Sequence, residues 1–223
     1  MSKSRPLGAV AVLAALALTG CGALQPGVAV KVGDETISTS RLDEVTSDFC
    51  RAIEPQLESQ AESIQNSFLR SYVAGTMALR SVADQVAVEF GVEAGGEEYL
   101  QQVADLRRGV ESVPEDIRES VIEVESAAAY VEAVQSAVGE EVLDGAGEDA
   151  ELAAAGREEF DAWISEHGVE FDPSLNTEIK DGAFNIRDAA VSFAVSERAT
   201  SGMAEQPNAV AARELTAAQR CGR

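Results

Sequence analysis

Three cysteines and one histidine are the side chains of this sequence best suited to covalent chemistry. The thiols stand at Cys21, Cys50 and Cys221, and the one histidine is His167. A thiol can act as a nucleophile, ligate a metal, accept a lipid or form a disulfide. Catalysis or zinc binding needs partner residues, but the sequence has no second histidine and no closely spaced cysteine pair. The pattern therefore favours lipid attachment and cross-linking over catalysis.

Other catalytic signatures are missing from the sequence. It contains no P-loop, no GxGxxG after a strand, no GxSxG and no HExxH. Acidic residues occur as adjacent pairs, which diverge by about 100 degrees on a helix and do not act together through adjacency alone. Asp144, Glu148 and Asp149 lack the ligand spacing of a calcium loop. We therefore predict no enzymatic activity, no cofactor and no metal site, and we expect His167 to bind the last carbonyls of a helix.

The amino terminus has the pattern of a secretory signal. Lys3 and Arg5 precede an apolar stretch over residues 7–18, which has the length of a signal core and is short for a membrane span. The run from Leu18 to Cys21, with the sequence Leu-Thr-Gly-Cys, resembles the lipobox of bacterial lipoproteins. That resemblance implies cleavage before Cys21 and attachment of diacylglycerol to its thiol. The alternative is an ordinary secretory signal followed by a chance cysteine.

The lipobox resemblance sets the amino-terminal organisation and the location. Residues 1–20 are interpreted as the lipoprotein signal peptide and residues 21–27 as a lipidated linker. The protein is then expected on the extracytoplasmic face of the cell membrane. Its net charge of −22 repels phosphate backbones and anionic lipids, so the lipid on Cys21 is the expected membrane contact and nucleic acid is not an expected partner.

In an oxidising compartment, the two remaining thiols are more often one disulfide than two free groups. We therefore predict a disulfide between Cys50 and Cys221, with unlinked thiols as the alternative. This bond would tie the tail, residues 197–223, back to the first helix.

A β-hairpin followed by amphipathic helices is predicted for the rest of the chain. Alternation and turn residues indicate strands at Val28–Val32 and residues 35–37, and Ser38 begins a group of helix-capping residues. Apolar residues at spacings of three and four then predict a first helix, which Pro55 should break or kink. Further expected elements are helices over residues 57–90, 99–110, 114–139 and 152–164, strands over residues 169–171 and 190–195, and a terminal helix that ends at Cys221.

Composition agrees with a single helical domain. The 223 residues are 45% hydrophobic and 25% charged, which is ordinary for a folded protein, and only 5% are aromatic. The predicted fold class is mainly α: a multi-helix bundle with a small N-terminal β-hairpin and short C-terminal strands. The helical domain is expected to cover residues 28–196.

The order of these features resembles a known family. A lipobox, the segment Val28 to Ser38 and then several amphipathic helices resemble the amino-terminal domain of SurA-type and PrsA-type extracytoplasmic chaperones. The gap over residues 139–151 is too short for the prolyl isomerase domain that many members carry, and Asp172-Pro173-Ser174 stands where Asp-Pro-Arg is usual. The resemblance therefore implies a chaperone-like fold that binds unfolded or newly secreted polypeptides without isomerase activity.

An apolar groove between the long helices would be the place where such polypeptides bind. The candidate client-binding residues are Phe68, Tyr72, Leu79 and Phe90, and the alternative for each is an ordinary core position. A structural or adaptor lipoprotein that binds one dedicated envelope partner is the second functional hypothesis, and an enzyme with an unrecognised site is the third. The sequence leaves the oligomeric state open.

Overall fold

The computed structural model describes residues 24–180, 183–186 and 209–222. These residues are mainly helical, with a few short antiparallel strands, as predicted. Cys21 and the strand predicted over residues 190–195 lie outside the described residues. The elements are β1 (Val28–Val32), β2 (Glu35–Ser38), α1 (Thr39–Gln60), β3 (Ile64–Gln65), α2 (Asn66–Phe90), α3 (Glu97–Gly109), α4 (Arg118–Glu125), α5 (Ala127–Val142), α6 (Asp149–His167), β4 (Val169–Phe171), β5 (Thr177–Lys180), β6 (Ala183–Ile186), α7 (Ala209–Arg213) and β7 (Arg220–Cys221).

The predicted hairpin is confirmed and forms part of a three-stranded antiparallel sheet. Its order is β2-β1-β4, so β1 lies in the centre. Val30 and Val32 point into the core, whereas Lys31 between them is exposed, which is the alternation expected of a half-buried strand. Ser38 ends β2 and caps α1 by accepting the backbone N–H of Arg41 at 3.1 Å.

The predicted break at Pro55 is wrong, because α1 continues through this proline to Gln60. An exposed proline costs the helix one hydrogen bond but leaves its apolar face intact, and Leu57 is buried on that face. The helix ends at Ala61, whose φ of 52° is left-handed, and the N–H of Glu62 donates to the Leu57 carbonyl at 2.8 Å. The second long helix therefore begins at Asn66, not at residue 57.

The helix predicted over residues 114–139 is two helices, α4 and α5, which meet at Ser126. Gly139 was expected to end this segment, but it lies inside α5 and is buried. A Cβ on Gly139 would overlap the Leu152 carbonyl oxygen of α6, and a Cβ on Gly156 of α6 would overlap the Gln135 carbonyl oxygen of α5. Gly139 is therefore a contact point between two closely packed helices.

Helix α2 is the centre of the fold. It contacts α1 and α5 on its sides, and β1 and the β5–β6 hairpin also pack against it. Its buried face carries small and β-branched residues, so neighbouring elements approach closely. The core also includes Phe160 and Trp163 of α6, which are nearly or completely buried.

The carboxy-terminal segment returns to the junction between α1 and α2. Strand β7 pairs with β3 in antiparallel register, with Cys221 opposite Ile64. The side-chain amide of Asn66 donates to the Ala218 carbonyl at 3.0 Å. The expected terminal helix up to Cys221 is wrong: α7 spans Ala209–Arg213, and residues 220–221 are extended because they pair with β3.

Candidate functional site

The best candidate site is an apolar cavity of about 400 Å³ beside α2. It is bounded by α2, α4, α5, α6 and β6, and most of its lining side chains are aliphatic or aromatic. A cavity of this size holds a small ligand or one or two large side chains. We call it the Tyr72 cavity; its lining residues are Tyr72, Thr76, Leu79, Val124, Glu125, Ala127, Ala128, Val131, Glu132, Gln135, Arg157, Ala183 and Phe184.

Tyr72 is held between two other aromatic rings. Its ring stacks on Phe49 of α1, with centroids 6.1 Å apart, and meets Phe184 of β6 edge-on at 5.6 Å. Burial raises the pKa of the Tyr72 hydroxyl, and the negative charge of Glu125 raises it further. The phenol is therefore neutral at physiological pH, so Tyr72 presents an uncharged ring to the cavity.

Phe184 forms one wall because Gly75 leaves room for it. A Cβ on Gly75 would overlap the Phe184 ring, so this helical position must be glycine for the β5–β6 hairpin to reach α2. Neither Gly75 nor Phe184 is among the predicted site residues. The available signal was Gly75 itself, since a glycine inside an apolar helix pattern costs stability unless something packs closely against it.

Charged side chains stand around the cavity. Glu125, Glu132 and Arg157 all line it, and all three residues are exposed. Apolar walls with charged groups at the edge are typical of a binding surface for polypeptides. Such a surface buries one apolar side chain of the bound polypeptide, and the polar residues next to that side chain stay in water.

The structure brings together two of the four predicted client-binding residues. Tyr72 and Leu79 line the Tyr72 cavity, whereas Phe68 and Phe90 do not. Phe68 and Phe90 stand near opposite ends of α2, about 33 Å apart along its axis. Both are half-buried, and Phe90 packs against the core. The Tyr72 cavity therefore contains two of the four predicted client-binding residues.

Cys50 and Cys221 are at disulfide distance. Their Sγ atoms are 2.08 Å apart and their Cα atoms 5.7 Å apart, across a sequence separation of 171 residues. Cys221 is buried, and Cys50 is half-buried. The pairing ties β7 to the middle of α1, which is where the sequence analysis expected the tail to attach.

His167 stacks on a tryptophan at the end of α6. The ring centroids of His167 and Trp163 are 4.4 Å apart, and Nε2 of His167 lies 3.9 Å from a carboxylate oxygen of Glu89. Within residues 24–180, 183–186 and 209–222, no three or more His, Cys, Asp or Glu side chains are grouped to hold a metal ion. None of the helices in that part of the chain is both long and apolar enough to span a bilayer.

Compared with protein-family models, curated proteins and solved structures, the chain has no match.

Proposed function

We propose that this protein is a lipid-anchored extracytoplasmic lipoprotein that binds unfolded or newly secreted polypeptides as a holdase, without prolyl isomerase activity. The observation that carries this proposal is the Tyr72 cavity, in which Tyr72, Leu79 and Phe184 supply an apolar surface at the side of the central helix. The amino-terminal lipobox resemblance supports the anchor at Cys21, and the hairpin-plus-helices order supports the likeness to SurA-type chaperones.

The composition of the cavity suits a binding site of low sequence specificity. Eight of its thirteen lining residues are aliphatic or aromatic, and they include the small side chains of Ala127, Ala128 and Ala183. Apolar contacts are non-directional, so they accept different side chains with similar affinity. The net charge of −22 keeps the binding protein soluble and favours basic clients.

A blocking substitution tests the cavity. Ala128 is an exposed residue of α5 that lines the cavity, and Ala154 is an exposed residue of α6 that does not. We expect Ala128→Arg to raise about tenfold the concentration of this protein that is needed to suppress aggregation. The arginine side chain would cover an area of the apolar cavity wall equivalent to one large side chain. Ala154→Arg adds the same charge and volume and should leave suppression within twofold.

The assay uses residues 22–223 with several unrelated unfolded clients of different net charge. Light scattering measures aggregation, and circular dichroism checks that each variant is folded. Suppression of many clients at near-equimolar ratio is the expected result. If no client is protected, the holdase proposal fails, and a single dedicated envelope partner, sought by crosslinking in cells, becomes the better explanation.

The anchor has its own test. We expect Cys21→Ser to abolish incorporation of a labelled fatty acid, because this thiol is the one that carries the lipid. Labelling of cells followed by immunoprecipitation measures the incorporation, with the parent chain as the control. Equal labelling of the Cys21→Ser variant and the parent chain would contradict lipidation at this residue.

A further inference from the structure

A second cleft, here called the Val88 cleft, lies on the other side of the carboxy-terminal half of α2. Its volume is about 400 Å³, and it is formed by α2, the turn between β1 and β2, and the end of α6. It shares no lining residue with the Tyr72 cavity. The lining residues of the Val88 cleft are Asp34, Glu35, Asp84, Gln85, Val88, Glu89, Trp163 and His167.

An exposed apolar side chain stands in this cleft. Val88 is 83% exposed, more than Leu100 or Val142, the other large hydrophobic residues that are exposed in the described chain. Beside it, His167 covers Trp163, which is almost completely buried. Val88 therefore gives the cleft an exposed apolar surface, next to the exposed ring of His167.

The walls of the cleft are held in place before any partner binds. A Cβ on Gly33 would lie 2.8 Å from Oε1 of Gln85 and 3.0 Å from the Trp163 ring, so the hairpin turn packs directly on both. The side-chain amide of Gln85 donates to the Val32 carbonyl at 3.0 Å. A preformed surface of this kind binds without an ordering cost of its own.

The rim of the cleft is strongly acidic. Its lining includes four carboxylates and no lysine or arginine. Glu35 accepts a hydrogen bond from the Ser81 hydroxyl at 2.8 Å, and Asp84 accepts one from the Tyr130 hydroxyl at 2.5 Å. These bonds orient the two carboxylates through uncharged hydroxyl donors, and a carboxylate oriented in this way suits a cationic partner.

We propose that the Val88 cleft is a docking site for a basic segment of a partner protein, in which arginine or lysine meets the carboxylates and an apolar side chain covers Val88. Charge complementarity selects this occupant, because a second copy of a chain with net charge −22 or an anionic membrane surface would be repelled. This docking site is independent of polypeptide binding in the Tyr72 cavity.

The single tryptophan makes the test specific to this cleft. Trp163 is the one tryptophan of the sequence, so its fluorescence reports binding beside it. The probe is a 12-residue peptide with four arginines and two leucines in a glycine-serine background, added to the full chain with its disulfide intact. We expect a change in Trp163 emission that saturates at the same peptide concentration as the heat measured by calorimetry.

Matched substitutions then separate the cleft from general charge attraction. We expect Val88→Ser and Glu89→Lys each to raise the Kd of the peptide about tenfold. The controls are Leu100→Ser, which removes an exposed leucine from α3, and Glu119→Lys, which reverses an exposed charge on α4; both should change the Kd less than twofold. A peptide with serine in place of leucine should also bind about tenfold more weakly.

Several outcomes would overturn the docking site. These are no binding of the peptide, binding without any change in Trp163 emission, equal effects of the cleft and control variants, or full displacement by equimolar spermine, which carries charge but no apolar side chain. None of these results alters the aggregation assay for the Tyr72 cavity, so the two proposals fail separately.

Discussion

We expect Gly139→Ala and Gly156→Ala each to lower the free energy of unfolding by about 3 kcal/mol. A glycine-to-alanine substitution inside a helix normally raises the free energy of unfolding by about 1 kcal/mol. The change expected here is in the opposite direction. Here the added methyl group would overlap a backbone carbonyl oxygen of the neighbouring helix: Leu152 for Gly139, and Gln135 for Gly156. Backbone atoms have no alternative rotamer, so α5 and α6 must separate to relieve the overlap.

The two glycines act on the same helix pair. On α5, Gln135 and Gly139 are one turn apart, and on α6 the same holds for Leu152 and Gly156. Once one added methyl group has separated the helices, the second meets less resistance. The double variant should therefore lose less stability than the sum of the single variants.

Gly109→Ala is the matched control for these substitutions. Gly109 lies at the end of α3 with helical φ and ψ of −61° and −35°, and a Cβ there would have no heavy atom within 4 Å. We expect this variant to gain about 0.5 kcal/mol or to be neutral. Denaturant unfolding followed by circular dichroism measures all the variants. Gly139→Ala and Gly156→Ala chains as stable as the parent would contradict the close packing of α5 and α6.

The second large effect is expected on removal of the Cys50–Cys221 cross-link. Its two cysteines are 171 residues apart, and for a loop of that length the chain-entropy model gives about 5 kcal/mol of stabilisation. Measured disulfides give less on average, so we expect a loss of about 3–5 kcal/mol in reductant or in the Cys50→Ala/Cys221→Ala double variant. Strand β7 should separate from β3 before the rest of the fold opens, since the two strands pair over only two residue pairs.

Denaturant unfolding with and without dithiothreitol measures this contribution. The parent chain should shift to lower denaturant in reductant, whereas the double alanine variant should not respond. A Cys21→Ser chain, unfolded without reductant, should show no free thiol in a thiol titration. Finding two thiols in that experiment would show that the pair is not linked, and the predicted contribution would then be absent.

These stability changes also bear on the Tyr72 cavity. Gln135 lines this cavity and is the residue whose carbonyl meets Gly156. Separation of α5 from α6 would therefore widen the cavity as well as destabilise the protein. Ala128→Arg avoids this effect, because Ala128 is exposed and a change there alters binding without disturbing the contact between α5 and α6.

Local sequence signals determined the elements whose ends depend on nearby residues. The β1–β2 hairpin follows from alternating Val28–Val32 and the Gly33-Asp34 turn, and α2 ends where Gly91 takes a left-handed φ of 66°. The three-four spacing of apolar residues likewise gives the buried face of α1. These features need only the periodicity of the backbone and the conformational freedom of a single glycine.

Only the tertiary structure decided the features that join distant segments. The chain stays helical through Pro55 because Leu57 is buried on the apolar face of α1. It becomes extended at Ile64 because β3 pairs with β7, more than 150 residues away. Gly139 follows an apolar helical pattern, as a glycine at a helix end does, but its close contact with Leu152 of α6 places it inside α5. Phe184 and Tyr72 share one cavity, whereas Phe68 and Phe90 stand elsewhere, because the β5–β6 hairpin packs on α2 at Gly75. Periodicity shows which residues are apolar, but the partner that each apolar residue meets depends on long-range packing.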